Sequence, residues 1–432
     1  MRRVWEATAA VVEGLERRTL LSGSALAISP IHQADGTTEL RIDGTPGNDR
    51  IHVQPSGDGL LVSNRHWTHD VAGNFSSLVI RGGTGNDSIV IDAGVTVDAT
   101  LYGGSGKDLL QAGGGNDTLV SIGAKAATLV GGAGQDSLWA NAGGKLVNVR
   151  SDEVAAGDVH RVSGFFNGGA GQSSNATATA KALRVRRLAE PVTTDGSIYQ
   201  NFSSHPLFSS AGPSENDIVQ GDVGDCYFLS VLSSVAKIDP WKIRQSVLDM
   251  GDGTYLVQFN RNGNKVFVRV DGQLPTLGGG APDYAGFGAD GSIWVAIVEK
   301  AYAVFRGPTR SYASIDGGWM DDAYAALGFT GQDLYGAGSP NALLWSIQQD
   351  LAAGQSVTFA VNAPADGAPL LASHAYTVDG INVDATGNPI TLRLRNPWGV
   401  DGAENDGNND GYVTVTAQQA YDSMLGVVSA TV

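Results

Sequence analysis

A glycine-rich pattern that occurs four times between residues 82 and 139 restricts that region to one kind of fold. The pattern is G-G-x-G-x-D followed by a short apolar run, and its copies begin at Gly82, Gly103, Ala112 and Gly131. Glycine adopts the backbone conformations of a tight turn without steric cost, and each apolar run has the composition of a short strand. The sequence therefore predicts an all-β unit, a parallel β-roll or solenoid, over residues 31–170.

An aspartate occupies the sixth position of each copy. These residues are Asp87, Asp108, Asp117 and Asp136, and Asp49 has the same place in the degenerate copy GTPGNDRIH. Carboxylate and carbonyl oxygens are ligands that Ca²⁺ prefers, and the pattern resembles the calcium-binding nonapeptide of hemolysin-type (RTX) β-rolls. The resemblance implies that the aspartates bind Ca²⁺. The residues expected to point into the roll are Ile89, Leu109, Leu119 and Leu138.

The copies are irregularly spaced, since only Asp108 and Asp117 are nine residues apart. Longer strand-like runs, such as Ala126–Val130, separate the others. The spacing favours a short roll that binds a few ions over a long regular array. A flexible glycine-rich segment is the alternative, and the interleaved strand-like runs argue against it.

The single cysteine of the chain lies in a second distinctive segment. Cys226 follows the Gly/Asp turn of QGDVGDC and begins an apolar run with helical spacing that extends to Ala236. Backbone N–H groups at a helix start favour an anion, and the thiolate is the nucleophilic form of cysteine. A lone cysteine can equally be a small buried hydrophobe, so the functional interpretation depends on partners elsewhere.

His374 and Asn396 are those partners. Their segments alternate in hydrophobicity on either side of the turn residues Ala385–Asn388, which predicts a hairpin. Folding this hairpin places the start of one strand opposite the end of the other, so His374 and Asn396 become neighbours. A thiol nucleophile needs an imidazole to accept its proton and a third group to orient the imidazole.

The segments QGDVGDC, SHAYTVDG and LRNPWG resemble the three catalytic blocks of the calpain family of calcium-dependent cysteine endopeptidases. Two further segments, Asp271–Thr276 and Ile293–Phe305, resemble calpain sequences in the same order. The likeness covers about residues 196–432. It implies an α+β, papain-like core with a cleft between a cysteine subdomain, 196–335, and a His/Asn subdomain, 336–432.

The resemblance implies a catalytic set of four residues: Cys226 as the nucleophile, His374 as the general acid/base, Asn396 as the orienting residue and Gln220 as an oxyanion-hole donor. Trp398 matches the tryptophan beside the family's asparagine and would support the cleft. Tyr227 is a departure, because the family usually has tryptophan there.

Calcium sites in the protease core are also implied. Gly212 and Asp217 match calpain positions that bind Ca²⁺, and Glu299 resembles the third ligand. A buried salt bridge is the alternative explanation for a glutamate in so apolar a helix. Asp410 aligns with a second core site, but Tyr412 replaces an acidic family ligand there.

Charge and composition narrow the possible partners. The net charge of −16 argues against nucleic acid, and no apolar run approaches the ~20 residues of a transmembrane helix. The sequence predicts a calcium-dependent cysteine endopeptidase that acts on polypeptides. Two alternatives are a calcium-binding adhesive or structural protein with a non-catalytic protease-like module, and a transglutaminase-like acyl transferase.

The remaining segments are connectors. Residues 1–30 are expected to be a targeting-like or disordered segment, in which residues 15–21, LERRTLL, resemble an element at the start of some large bacterial exported proteins. With the RTX-like repeats, this favours a secreted or cell-surface bacterial protein. Residues 171–195 are expected to form a linker, and its basic stretch 181–191 is a hypothetical site of self-cleavage.

Overall fold

The structure, a computed structural model, describes residues 26–33, 36–65, 67–123, 125–166, 175–177, 188, 190–307, 309–334, 338–402 and 408–432. Most of the predicted segment 1–30 and of the linker 171–195, including nearly all of the proposed cleavage stretch, lies outside the described residues. The chain divides into two compact units. One comprises Met1–Leu138 with Gly143–Asn148, and the other Trp139–Ala142 with Val149–Val432.

The first unit consists of short strands. They are β1 (Ala27–His32), β2 (Thr38–Asp43), β3 (Arg50–Ser56), β4 (Gly59–Asn64), β5 (Trp67–Ala72), β6 (Ser77–Arg81), β7 (Ser88–Ile91), β8 (Ala99–Tyr102), β9 (Leu109–Gln111), β10 (Thr118–Ser121), β11 (Thr128–Val130), β12 (Ser137–Asn141), which begins in this unit, and β13 (Lys145–Val147). One sheet has the order β1-β2-β6-β8-β10-β12, and the other β13-β11-β9-β7-β3-β4-β5.

From β6 onward, successive strands alternate between the two sheets, and β6, β8 and β10 pair in parallel, as do β7, β9, β11 and β13. This is a β-solenoid of about four turns over residues 78–162. The predicted N-terminal fold is confirmed. Its regularity follows from the sequence, because each glycine turn is short enough to return the chain to the opposite sheet.

Alternating apolar residues of these strands fill the interior. Fully buried examples are Leu78, Ile80, Ile89, Leu101, Leu119 and Leu129. The expectation for Leu109 is wrong, since Leu110 is the buried residue of β9 and Leu109 is only partly buried. The step from Asp108 to Leu110 matches the two-residue step from Asp87 to Ile89, so the same strand period applies to both copies.

The glycine turns stack at two opposite edges of the solenoid, which explains the irregular spacing. At one edge, the backbone N–H of Asp49 donates to Asp87 Oδ1 at 2.8 Å, and that of Asp87 donates to Asp108 Oδ1 at 3.0 Å. At the other edge, the N–H of Asp117 donates to Asp136 Oδ1 at 2.9 Å. A separation of 21 or 19 residues is thus one complete turn, whereas the nine residues from Asp108 to Asp117 cross from edge to edge.

The second unit contains all seven described helices. They are α1 (Ser151–Ala156), α2 (Cys226–Ile238), α3 (Pro240–Ser246), α4 (Trp294–Arg306), α5 (Met320–Leu327), α6 (Pro340–Ala352) and α7 (Ala417–Ser423). Short 3₁₀ turns occur at Glu215–Asp217, Ala289–Gly291 and Tyr312–Ser314. Within the described part of the chain, we find no helix with the length and apolar character needed to span a membrane.

The strands of the second unit are β14 (Val159–Val162), β15 (Gly164–Phe166), β16 (Asn175–Thr177), β17 (Ile198–Asn201), β18 (Val247–Asp249), β19 (Thr254–Arg261), β20 (Asn264–Asp271), β21 (Gln273–Thr276), β22 (Gln332–Asp333), β23 (Ser356–Val361), β24 (His374–Val383), β25 (Pro389–Arg395), β26 (Tyr412–Thr416) and β27 (Met424–Ala430). Strand β14 follows β12 in its sheet, and the other strands form three further sheets. The sheet orders are β16-β15-β20-β19-β18, β17-β21 and β22-β27-β23-β24-β25-β26, so the C-terminal region is α+β, as predicted.

The second unit begins near residue 149, before the boundaries at 170 and 196 that the sequence predicts. Strand β15 pairs with β20, with Phe166 beside Val268. His160 is fully buried, and its two ring nitrogens lie 2.9 and 3.0 Å from the amide oxygens of Gln258 and Gln245. These contacts join residues about a hundred positions apart, so local composition does not reveal them.

Helix α2 is the centre of the second unit, and every residue from 227 to 236 is buried. On one side, Phe228 stacks on Tyr302 of α4 with ring centroids 3.8 Å apart. On the other side, α2 contacts the six-stranded sheet, where the Thr377 hydroxyl donates to the Ser230 carbonyl at 2.8 Å. The start of the helix, where Cys226 lies, is therefore fixed relative to both subdomains.

We predict that the stacked turns of the solenoid do not tolerate side chains. In Gly104→Ala, the new Cβ would lie 2.0 Å from the carbonyl oxygen of Gly83. Gly36 is a matched control, because its φ of +84° is close to the +82° of Gly104 and a Cβ there would have no neighbour within 4 Å. Gly36→Ala should cost about 1 kcal/mol, and Gly104→Ala about 3 kcal/mol or more.

Hydrogen exchange of the β6–β11 amides, followed by mass spectrometry on the full chain, measures this difference. Faster exchange in Gly104→Ala than in Gly36→Ala is expected. Equal exchange in the two variants would show that the close stacking of turns does not stabilise the solenoid.

Candidate active site

Cys226 is the first residue of α2 and is partly exposed. Burial raises the pKa of its thiol to about 11, the backbone N–H of Ala375 acts in the opposite direction, and the nearby charge of Asp225 raises the pKa further. The contact with Ala375 shows that the start of β24 lies beside the thiol. The sequence pattern favoured an easily ionised thiol at this helix start, whereas burial favours the neutral form in this conformation.

His374 begins β24, and its Nε2 lies 2.9 Å from Oδ1 of Asn396. The Asn396 amide has one consistent orientation, since its Nδ2 donates to the Asp401 carbonyl at 3.3 Å and its Oδ1 accepts from the Trp398 N–H at 3.0 Å. An amide oxygen can only accept. The network therefore assigns the proton to His374 Nε2 and leaves Nδ1 as a proton acceptor.

Two aromatic rings enclose the imidazole. The Trp398 ring lies 5.1 Å from the His374 ring and the Tyr376 ring 5.0 Å away, both centroid to centroid and both edge to face. Burial lowers the pKa of His374, and the hydrogen bond with Asn396 opposes that shift. Trp398 itself is 39% exposed, so it forms a partly open cover over the His374–Asn396 pair.

Gln220 lies between the turn that precedes Cys226 and the segment that follows Asn396. Its side-chain Nε2 donates to the Val223 carbonyl at 2.7 Å, and its backbone N–H donates to the Pro397 carbonyl at 2.8 Å. These bonds fix the amide beside the start of α2. An amide nitrogen has two hydrogens, so the second N–H of Gln220 can donate to a ligand.

Asp217 is buried, and protein donors surround its carboxylate. It accepts hydrogen bonds from the Ser214 N–H at 2.8 Å, the Ala289 N–H at 2.8 Å and the Trp294 indole at 2.9 Å. Gly212 lies beside the guanidinium of Arg244, since a Cβ on Gly212 would be 3.4 Å from Arg244 Nε.

Glu299 has an acidic partner. Its Oε2 accepts from the Ala285 N–H at 3.0 Å, and its carboxyl group lies beside that of Asp225. Burial raises the pKa of Glu299 to about 8; burial, and then the charge of Glu299, raise that of Asp225. A shared proton accounts for two buried acids in contact. This contact is not the salt bridge that the sequence offered as an alternative, and the role of Glu299 as a calcium ligand stays a prediction.

The hydrogen bonds described above connect neither Asp217 with Glu299 nor either carboxylate with Gly212. The described residues contain no group of three or more His, Cys, Asp or Glu side chains suited to a metal ion. Asp410 is exposed and accepts a hydrogen bond from the Tyr412 N–H at 3.0 Å. Residues 403–407 of its acidic loop lie outside the described part of the chain. The core calcium sites remain predictions.

The solenoid aspartates fit a calcium site better than the candidate residues of the protease core do. Asp87 and Asp108 are buried, and the Oδ2 atom of each has no hydrogen-bond partner among the described residues. Burial raises the pKa of Asp108 to about 6 and that of Asp117 to about 7. Asp117, at the other edge, accepts from the Ala99 and Gly113 N–H groups through separate oxygens. A hard cation at the first edge would supply the missing partner of two buried carboxylates.

The site has the composition of a thiol-dependent acyl-transfer enzyme: a cysteine at a helix start, an imidazole on the adjacent strand and an amide that orients the imidazole. Sequence reasoning found these groups from their segments. It missed the contributions of Ala375, Asp225 and Tyr376, whose sequence signal is only that they flank the predicted residues.

Comparison with known proteins identifies the family. Residues 180–411, more than half of the chain, match the model described as calpain family cysteine protease. The chain belongs to the calpain family. Residues 96–121 and 123–144 match the RTX calcium-binding nonapeptide repeat. Both resemblances inferred from the sequence are confirmed.

Each of the relatives below matches about half of the chain. A rice protein, "Calpain-type cysteine protease ADL1", is 31% identical over 214 residues, which are 46% of this chain and 10% of the relative. Mouse "Calpain-8" is 32% identical over 243 residues, 51% of this chain and 34% of the relative. Chicken "Calpain-2 catalytic subunit" is 34% identical over 216 residues, which are 45% of this chain and 30% of the relative. The chain thus spans between a tenth and a third of the length of these relatives.

We predict that the thiol is neutral at physiological pH in the calcium-free chain. A pKa of about 11 against an ordinary value of 9.0 reduces the thiolate fraction at pH 7.5 about a hundredfold. The rate of alkylation by iodoacetamide should therefore rise steadily up to pH 10. Since Cys226 is the only cysteine, the reaction reports on one group, and the urea-unfolded chain provides the ordinary thiol profile. A plateau with a midpoint below pH 7 would instead show a preformed thiolate–imidazolium pair.

Proposed function

We propose that this chain is a calcium-dependent cysteine endopeptidase that hydrolyses peptide bonds through Cys226, His374 and Asn396. The observation that carries the proposal is the hydrogen bond from His374 Nε2 to Asn396 Oδ1. It leaves Nδ1 as the proton acceptor on a strand whose next residue, Ala375, contacts the only thiol of the chain. Membership of the calpain family supports peptide hydrolysis as the reaction.

The mechanism follows from these groups. Cys226 transfers its proton to His374 Nδ1, and the thiolate attacks the carbonyl carbon of the scissile peptide. The Cys226 N–H at the helix start and the second N–H of Gln220 stabilise the oxyanion. His374 then protonates the leaving amine, and a thioester to Cys226 remains. Water deprotonated by His374 hydrolyses the thioester and restores the thiol.

The low ionisation of the free thiol is compatible with this sequence of steps. A neutral thiol next to a neutral imidazole can ionise by transfer of one proton between them. Asn396 stabilises the resulting imidazolium because its oxygen accepts the Nε2 proton throughout, and the ring stays in place between Trp398 and Tyr376.

Ca²⁺ is the proposed cofactor, and Asp87 and Asp108, with their stacked turns, are the residues that would hold it. Bound Ca²⁺ would neutralise adjacent carboxylates and link neighbouring turns of the solenoid. Asp117 and Asp136 are proposed as ligands at the other edge. We derive no catalytic step from the ion. The repeats are typical of secreted proteins, so we also propose a secreted or cell-surface bacterial protein, which would be recovered in the culture medium or on the surface of intact cells of a producing strain.

We predict calcium-stimulated cleavage of casein, an unstructured protein substrate, by the full chain. Cys226→Ala should abolish the activity at every calcium concentration. Asn396→Ala should lower kcat by roughly 10- to 1,000-fold, because His374 loses its orienting acceptor. Asn382→Ala is the matched control, since Asn382 lies on the same strand as His374 and its side chain donates to the Thr391 hydroxyl at the exposed end of the hairpin.

The calcium titration separates two parts of the proposal. Cysteine-dependent cleavage that is unchanged by a calcium chelator would retain the protease and reject calcium dependence. Absence of cleavage by folded protein at all calcium concentrations would favour a calcium-binding adhesive or structural protein with a silent module. Amine incorporation into casein without cleavage would favour the transglutaminase-like alternative.

Self-cleavage within 181–191 remains a proposal, and the structure defines what a cut there would leave. Glu190 is anchored by the buried Lys300 ammonium at 2.5 Å, and the Val192 N–H donates to the Arg310 carbonyl at 2.8 Å. Strand β15 would remain paired with β20 on the other side of the cut. N-terminal sequencing of the chain after incubation with calcium should find a terminus before Glu190, with both fragments co-eluting in gel filtration. An intact chain in an active preparation would contradict self-cleavage.

A further inference from the structure

Tyr227, the residue after the candidate nucleophile, has an unusual partner. The Nη1 of Arg306 donates to the Tyr227 hydroxyl, and the guanidinium carbon lies 5.0 Å from the centre of the Tyr227 ring. Tyr227 is buried, and burial raises the pKa of its phenol, so the hydroxyl stays neutral and accepts. Arg306 ends α4 one turn after Tyr302, which stacks on Phe228. The same face of α4 thus supports both residues that follow Cys226.

The Tyr227–Arg306 pair also lies directly behind Gly318. A Cβ on Gly318 would be 2.3 Å from Arg306 Nη1 and 2.5 Å from Tyr227 Cζ. Because no side chain fits there, the backbone of Gly318 packs directly against Tyr227 and Arg306. Arg306 further reaches the Asp322 carboxylate at 3.9 Å, in the first turn of α5. Arg306 therefore contacts both Gly318 and Asp322, and these two contacts fix the position of the segment that leads into α5.

That segment passes beside the nucleophile. The Gly317 N–H donates to the Gly224 carbonyl at 2.8 Å, two residues before Cys226. Residues 316–319 are exposed on their other side, and Trp319 is 58% exposed. Gly317 turns the chain with a φ of +76°, and neither Gly317 nor Gly318 carries a side chain. This exposed backbone, beside the turn that precedes Cys226, is a surface that a polypeptide main chain can approach closely.

We propose that Arg306 is a positioning residue that acts through Tyr227 and Gly318: it holds residues 317–319 as the wall along which a substrate backbone aligns before attack by Cys226. This inference rests on the proposed function, because it concerns how the same site receives a polypeptide. It predicts a loss in the reaction of peptides and not in the intrinsic reactivity of the thiol.

The test compares two reagents that modify Cys226 in the full chain. A peptidyl chloromethyl ketone must align along the wall before it alkylates the thiol, whereas iodoacetamide needs only access to it. Arg306→Met keeps an apolar stem and removes the donors. It should slow the peptidyl reagent roughly 10- to 100-fold, while the iodoacetamide rate stays within about twofold. Casein cleavage by this variant should show the loss mainly in KM.

Arg261→Met is the matched control. Arg261 also lies over aromatic rings, those of Phe166 and Phe305, and donates to the Phe305 carbonyl at the end of α4. The Arg261→Met variant should leave the ratio of the peptidyl-reagent rate to the iodoacetamide rate unchanged. Tyr227→Phe keeps the ring and removes the acceptor, so it should lower the ratio in the same direction, and the double variant should lose little more than Arg306→Met alone. Tyr227→Phe provides the test if Arg306→Met fails to fold.

An unchanged ratio in Arg306→Met or Tyr227→Phe would overturn the proposal, as would an equal loss in Arg261→Met or a parallel loss with both reagents. Failure of the proposed function has a different signature. In that case, wild-type protein would not cleave casein, but the ratio of reagent rates would still show whether Arg306 positions a peptide at Cys226.

Discussion

The burial of helix α2 between α4 and the six-stranded sheet is the interaction on which the second unit depends. All ten residues from 227 to 236 are removed from water, and each full burial of a large apolar side chain contributes on the order of 2 kcal/mol. Because the helix touches both subdomains, its first residue has a fixed position relative to β24. The packing of α2 therefore determines where Cys226 lies beside the start of β24.

The same burial determines the electrostatics of the site. It raises the pKa of the Cys226 thiol, lowers that of the His374 imidazole and places Asp225 against Glu299. In each case, burial disfavours the charged form. The result is a neutral, ordered arrangement in which proton transfer between two neighbouring groups, rather than a standing ion pair, would generate the nucleophile.

Much of this site could be predicted from the sequence, and the reasons are local. The alternation in β24 and β25 requires a hairpin, and a hairpin brings His374 to Asn396 because its two strands run antiparallel. The glycine turns likewise require a solenoid. What the sequence could not supply depends on distant contacts. The partner of Glu299 is Asp225, the residue before helix α2, and the direction in which the thiol pKa shifts depends on the residues that bury the thiol. Residues 149–166 joined the second unit through side chains and strand pairs about a hundred residues away.

For the solenoid, too, the sequence predicts the fold but not the position of every residue in it. Its repeat can be recognised in the sequence. The assignment of each aspartate to one edge of the solenoid, however, requires the lengths of the strands between the repeats. Once β9 is known to have three residues, the nine-residue step from Asp108 to Asp117 is half a turn rather than a full one. Among the described residues, the Oδ2 atoms of Asp87 and Asp108 have no hydrogen-bond partner, and this is the reason for proposing a cation at that edge.

The most direct test of the account is to trap the acyl group on the chain. Wild-type protein reacted briefly with a peptide p-nitrophenyl ester and quenched in acid should gain the mass of one acyl group. Proteolytic mapping should place that mass on the peptide that contains Cys226, and Cys226→Ala should show none. Hydrolysis of the ester with the acyl group on another residue, or with an equal adduct in Cys226→Ala, would contradict the assignment of Cys226 as the nucleophile.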